Sequence, residues 1–166
     1  MVTGTSITAV QAWTILGRVP DPEIPVISVT ELGIVRDVQA SDGVVDVVVT
    51  PTYSGCPATE VIERSIREAL TAAGAAEVRV TTQLAPAWTT DWIEPQAREK
   101  LRIYGIAPPG TRGAGQEQPL QFVPRIDCPR CGSADTERLS QFGATACKAL
   151  YRCRSCREPF EYFKPL

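Results

Sequence analysis

Two Cys-x-x-Cys pairs, Cys128-Pro129-Arg130-Cys131 and Cys153-Arg154-Ser155-Cys156, stand 21 residues apart near the end of the chain. Four thiolates paired in this way suit a tetrahedral ion, and the interval suits a β-ribbon. Strands are expected over 136–140, 145–152 and 158–163, with Phe142, Leu150, Tyr151, Phe160 and Phe163 as a minimal core. A module of this size cannot hold together by apolar burial alone. Structural zinc, worth about 10–16 kcal/mol in comparable peptides, makes such folding metal-dependent. A closed four-cysteine site has no free position for substrate, so zinc is expected to be structural here. An iron–sulfur centre uses the same four ligands and is the alternative occupant.

A fifth cysteine of the module, Cys147, lies outside both pairs in Phe142-Gly143-Ala144-Thr145-Ala146-Cys147-Lys148. A thiol beside Lys148 can be reactive or bind metal transiently; a packed strand residue is the other reading.

The sixth cysteine sits in Val47-Val48-Val49-Thr50-Pro51-Thr52-Tyr53-Ser54-Gly55-Cys56-Pro57. There a β-branched run ends, a Gly-containing loop turns, and a helix starts at a proline, which suits the first helical position. Cys56 therefore falls at or next to the helix N-cap, where free N–H groups and the helix dipole favour a thiolate. A small buried hydrophobe is the alternative. The helix reads from Val61, Ile62, Ile66, Ala69, Leu70 and Ala73 on one face, with Glu60–Arg64 and Glu63–Arg67 pairs on the other.

The absence of histidine removes Ser-His-Asp and Cys-His arrangements and any His-ligated metal. A thiol-dependent enzyme would need a carboxylate or lysine as base, so the chain is expected not to be catalytic by itself. A net charge of −2 argues against a general nucleic-acid or membrane-surface binder, although 126–166 carry seven Lys/Arg against five Asp/Glu. Residues 1–20 have neither a basic start nor a continuous apolar core, and no run is long enough to span a bilayer. The expected location is the cytoplasm, where six cysteines suggest metal or redox chemistry rather than disulfides.

Elsewhere, 7–18 read as a short helix, and Val19-Pro20-Asp21-Pro22-Glu23-Ile24-Pro25 must be extended or turning. Asp21 and Glu23 in this rigid segment are candidate functional carboxylates, with capping or solvated acids as the plainer reading. Residues 33–38 and 44–50 look like strands joined by a tight turn at Ser41-Asp42-Gly43, the second apolar enough to be covered on both faces. Residues 77–84 alternate as a strand with one wetter face, joined through a right-handed crossover. Trp88 and Trp92 would cover the core edge. Pro95 starts a helix that keeps Ala97 and Leu101 inward and stops at Gly105. The fold class is α+β: a small two-layer helix/mixed-sheet domain over 1–106, a Gly/Pro-rich linker over 107–125, and a four-cysteine ribbon over 126–166.

Asp21-Pro22-Glu23-Ile24-Pro25, Glu31-Leu32-Gly33-Ile34-Val35 and Ser54-Gly55-Cys56-Pro57-Ala58 resemble the domain of iron–sulfur assembly and targeting factors, including the SufT type. With Trp88-Thr89-Thr90-Asp91-Trp92, Tyr104-Gly105-Ile106-Ala107-Pro108-Pro109 and the two knuckles, the whole is similar to the PaaD (PaaJ) family. That family comprises accessory proteins of the bacterial phenylacetyl-CoA epoxidase system, which carries out ring 1,2-epoxidation in aerobic phenylacetate degradation. The resemblance implies a maturation factor that assists iron or iron–sulfur delivery to the oxygenase and reductase subunits. It maps a cluster-binding cysteine onto Cys56, an acidic motif onto Asp21 and Glu23, and ribbon ligands onto Cys128, Cys131, Cys153 and Cys156. A Phe-Gly-Ser-Thr-Ala-Cys-Lys stretch maps onto 142–148, with Ala144 in place of the serine. One cysteine cannot hold a cluster, so a homodimer, a partner thiol or Cys147 must supply further ligands. A docking subunit without metal transfer is the alternative.

Overall fold

The computed structural model describes residues 6–110 and 126–165. Its contacts divide the chain into two compact units, Met1–Glu94 and Pro95–Leu166. In the first, Asp42 and Gly43 both take positive φ, 53° and 83°, the left-handed pair a two-residue hairpin turn requires. They join β1 (Val35–Ser41) to β2 (Val44–Val49) in antiparallel register, Val38 opposite Val47. α2 (Ala58–Ala72) then carries the chain to β3 (Glu77–Thr82), which pairs parallel with β2, giving the order β1-β2-β3.

One face of this mixed sheet is packed. Val35, Val38, Val45, Val47 and Val49 are buried, as are Ile62, Ile66 and Leu70 of α2 and Ala12 and Leu16 of α1 (Ala9–Leu16). α1 packs on α2 and β1, and α2 on β3. Truncating Leu70 to alanine would cost about 2–5 kcal/mol. The apolar character of β2 does not mean cover on both faces: Asp46 is exposed and Val44 and Val48 are half-exposed, so the sheet's second face is wetter than its valines suggest.

β3 ends at Thr82, and Leu84 beyond it is exposed. Its outer edge is not bare. Arg67 of α2 donates to the Val78 carbonyl at 2.9 Å, and Thr82 Oγ1 donates to Glu63 at 2.7 Å, while Arg67 and Glu63 pair at 3.8 Å. Charged side chains over a strand edge discourage pairing with another strand. The segment from Pro86 returns to the core through Trp88, whose indole N–H donates to the Leu32 carbonyl at 3.0 Å. Trp92 ends a 3-10 turn at Thr90–Trp92 and carries the Arg36 guanidinium 3.5 Å over its ring.

The second unit starts at α3 (Pro95–Tyr104), with Ala97 and Leu101 buried and Gly105 at φ 98° ending it. Ile106 and Ala107 form β4 and pair parallel with β7 (Pro159–Phe163). The first unit thus stops at Glu94, short of the expected boundary at 106. Ala107, expected to open the linker, is a buried strand residue because it is apolar and has a sheet to join. Residues 111–125 of the expected linker lie outside the described residues. β5 (Thr136–Ser140), β6 (Lys148–Cys153) and β7 are antiparallel, in the order β4-β7-β6-β5. Their core holds Ala107, Ile126, Ala149, Tyr151, Phe160 and Tyr162, Tyr151 stacking on Phe160 at 5.9 Å. Phe142, expected in that core, is exposed, because it lies in the loop between β5 and β6. No helix among the described residues is long and apolar enough to cross a membrane.

Candidate metal centre

Each knuckle is a tight turn closed by a residue in the left-handed region just after its second cysteine. Gly132 (φ 73°) donates to the Cys128 carbonyl at 2.9 Å, and Cys128 donates to the Ser133 carbonyl at 2.9 Å. In the second knuckle Arg157 (φ 64°) holds the matching position, and Cys153 donates to the Glu158 carbonyl at 3.0 Å. Ser133 and Ser155 join the two turns through a 2.7 Å hydroxyl contact. Glu137 on β5 meets both Arg152 and Arg154, fastening the second knuckle to the neighbouring strand.

The turns bring the Sγ atoms of Cys128, Cys131, Cys153 and Cys156 within 4.8 Å of one another. Cys128 and Cys156 are 3.8 Å apart, Cys131 and Cys153 3.5 Å. A tetrahedron with metal–sulfur bonds of about 2.3 Å has edges of about 3.8 Å. The Cys156 N–H points at Cys153 Sγ from 3.5 Å and is the leading reason that this thiol is held down at about 6. The Glu158 N–H acts to lower Cys156, but burial and the thiols of Cys153, Cys131 and Cys128 outweigh it and push Cys156 up to about 12. Four sulfurs this close cannot all ionise without a cation among them, so the quartet fits a metal and fits poorly as four free thiols. Among the described residues it is the only group of three or more such ligands.

Cys56 lies elsewhere, in the loop between β2 and α2. Pro57 is the N-cap and α2 starts at Ala58, one residue later than expected, so Cys56 immediately precedes the cap. It is half-buried, while Ser54, Gly55 and Pro57 around it are exposed. Its N–H donates to the Tyr53 carbonyl at 3.3 Å, and its carbonyl accepts from Thr59 at 3.2 Å. Gly55, at φ 92° with open space where a Cβ would be, sets the turn before it.

Asp21 is buried in the proline turn. Its Oδ1 accepts the N–H groups of Glu23 at 2.9 Å and Ile24 at 2.8 Å, stapling the proline turn shut. Glu23 is half-buried in the same turn. Cys147 is buried on the ribbon, its Sγ 3.0 Å from Thr145 Oγ1, and Lys148 beside it is buried too. Cys56 belongs to the first unit and Cys147 to the second. Sequence reading missed the Lys148–Glu161 ion pair at 2.7 Å, whose partners lie 13 residues apart and meet across β6 and β7.

The architecture is that of an iron–sulfur assembly domain joined to a metal ribbon, and both halves have counterparts. Residues 10–82 match the family model described as iron–sulfur cluster assembly protein. Residues 113–164 match the PaaD zinc beta ribbon domain. The chain belongs to the PaaD family. It is 56% identical, over 93% of its length and 91% of the relative's, to an Escherichia coli (strain K12) protein provisionally named as one of the subunits of 1,2-phenylacetyl-CoA epoxidase. A Porphyromonas gingivalis protein named Fe-S protein maturation auxiliary factor is 34% identical over 52% of this chain and 83% of its own. Among solved structures, a DUF59 domain of unknown function from Bacillus anthracis superposes with a TM-score of 0.53 at 26% identity, over 57% of this chain and 92% of that one. A conserved hypothetical protein from Thermotoga maritima gives 0.50 at 32%, over 58% and 95%.

Proposed function

We propose that this protein is a cytoplasmic maturation factor of a phenylacetyl-CoA epoxidase, passing iron or an iron–sulfur cluster to its oxygenase or reductase subunits through Cys56. The observation that carries this reading is the setting of that thiol. It stands half-exposed at the entry to α2, on a loop with exposed neighbours, inside the segment that matches the assembly family. A thiol so placed can bind a cargo metal and surrender it, provided a second copy or the recipient completes the ligand set. Asp21 fixes the proline turn, and with Glu23 it supplies the supporting carboxylates of this reading. The ribbon quartet does something else, since Cys128, Cys131, Cys153 and Cys156 hold zinc for shape, with all four positions used.

Anaerobic reconstitution with iron and sulfide tests the reading. The parent protein should develop visible cluster absorption and Cys56→Ala should not, with the ribbon metal retained in both. A variant that loads as fully as the parent removes Cys56 from the role. Full epoxidase activity in cells carrying only Cys56→Ala would instead support a docking subunit without metal transfer.

A further inference from the structure

The loop between β5 and β6 is held far more firmly than a connection needs. Gly143 donates to the Lys148 carbonyl at 2.7 Å, and Ala144 donates to Glu161 Oε1 at 2.9 Å. The other oxygen of Glu161 takes the Lys148 ammonium at 2.7 Å, in a pair whose lysine is buried. Lys164 donates through its backbone to the Cys147 carbonyl at 3.0 Å and through Nζ to the Gln141 carbonyl at 3.1 Å. A Cβ on Gly143 would stand 2.8 Å from Glu161 Oε1 and would push that carboxylate aside. An ion pair with one buried partner is a costly way to stabilise a ribbon, and the best-attested use of such pairs is to fix one conformation.

What the conformation presents is an aromatic ring in water. Phe142 is 61% exposed, with Lys164 Nζ 4.6 Å over its ring, and Leu139, bulged out of β5 nearby in sequence, is 50% exposed. A rigid aromatic side chain with a cation beside it is a characteristic anchor of protein interfaces, because its ordering cost is met before binding. The cation at the ring is Lys164, and the sequence of the second unit is basic as a whole, which favours an acidic partner. Residues 95–166 carry 12 Lys/Arg against 7 Asp/Glu, whereas 1–94 carry 5 against 12. Four thiolates on a divalent ion would subtract two charges from the second unit and leave it positive.

We infer that the loop formed by residues 141–147 is a docking element, with Phe142 entering an apolar pocket rimmed by carboxylates on another subunit of the epoxidase. This rests on the functional reading above for the identity of the partner, and adds the surface and the residue that engage it.

Binding of the purified full-length protein to the remaining purified epoxidase subunits, measured by calorimetry at low and high salt, tests it. Phe142→Ala should weaken binding about tenfold or more, with unfolding midpoint and metal content unchanged. Salt should weaken the parent's binding. Equal binding by the parent and Phe142→Ala overturns the docking assignment alone. No binding by the parent overturns both the assignment and the epoxidase reading.

Discussion

Gly33 and Trp92 touch so closely that no larger residue fits between them. A Cβ on Gly33 would stand 2.7 Å from Trp92 Cβ and 2.8 Å from its carbonyl oxygen, and the glycine's φ of 74° disfavours a side chain in any case. Next to this contact Arg36 lies over the indole, and Glu94 donates its N–H to the Glu31 carbonyl at 3.0 Å. Gly33→Ala should therefore destabilise the first unit by about 2–4 kcal/mol, from strain and overpacking together. Chemical denaturation checks this; an unchanged midpoint would show that the segment around Trp92 yields freely.

Lys148 and Glu161 make a second test. Lys148→Met leaves a carboxylate facing the loop without its cation, for a cost of about 2–4 kcal/mol, discounted because Glu161 is partly exposed. The double variant Lys148→Met/Glu161→Leu should recover much of that loss, although Ala144 loses its acceptor. A thermal-melt cycle over the four proteins measures the coupling.

Metal dependence should be confined to the second unit. Elemental analysis is expected to give one zinc per chain, lost in Cys153→Ser. Metal-bound thiolates compete with protons, so affinity weakens as pH falls and acidification should release the ion. A zinc-responsive dye and the signals of Tyr151 and Tyr162 report release and loss of ribbon packing together. Retention of the ion by Cys153→Ser would remove this cysteine from the ligand set.

The two knuckles differ at one informative position. Gly132 holds its left-handed conformation at no steric cost, whereas Arg157 holds the same one with a side chain. Arg157→Gly should thus raise the stability of the metal-loaded protein by up to about 1 kcal/mol, and Gly132→Ala should lower it by a similar amount. Melting temperatures of the three proteins decide between this and a role for the Arg157 side chain.

Much of this could be read in advance where the signal is local. Cysteine spacing announces the quartet, Asp42-Gly43 announces the hairpin, and the recurrence of Ile62, Ile66 and Leu70 announces α2. Phe142 misleads because hydrophobicity says nothing about which aromatic a loop carries outward. Tyr162 alternates with Phe160 across Glu161, and that period-two pattern was the available signal for its burial. The pairing of β4 with β7 and the burial of Lys148 have no local signature at all. Each depends on a partner far along the chain, and nothing in the sequence beside them names it.

The ribbon quartet has an inner and an outer half. Cys128 and Cys153 are buried, while Cys131 and Cys156 are exposed. An oxidant or competing chelator meets the outer sulfurs first, while the inner two keep their hold from within the sheet. Damage to a loaded centre would then begin on one side, at Cys131 and Cys156, while Cys128 and Cys153 still grip the ion from beneath.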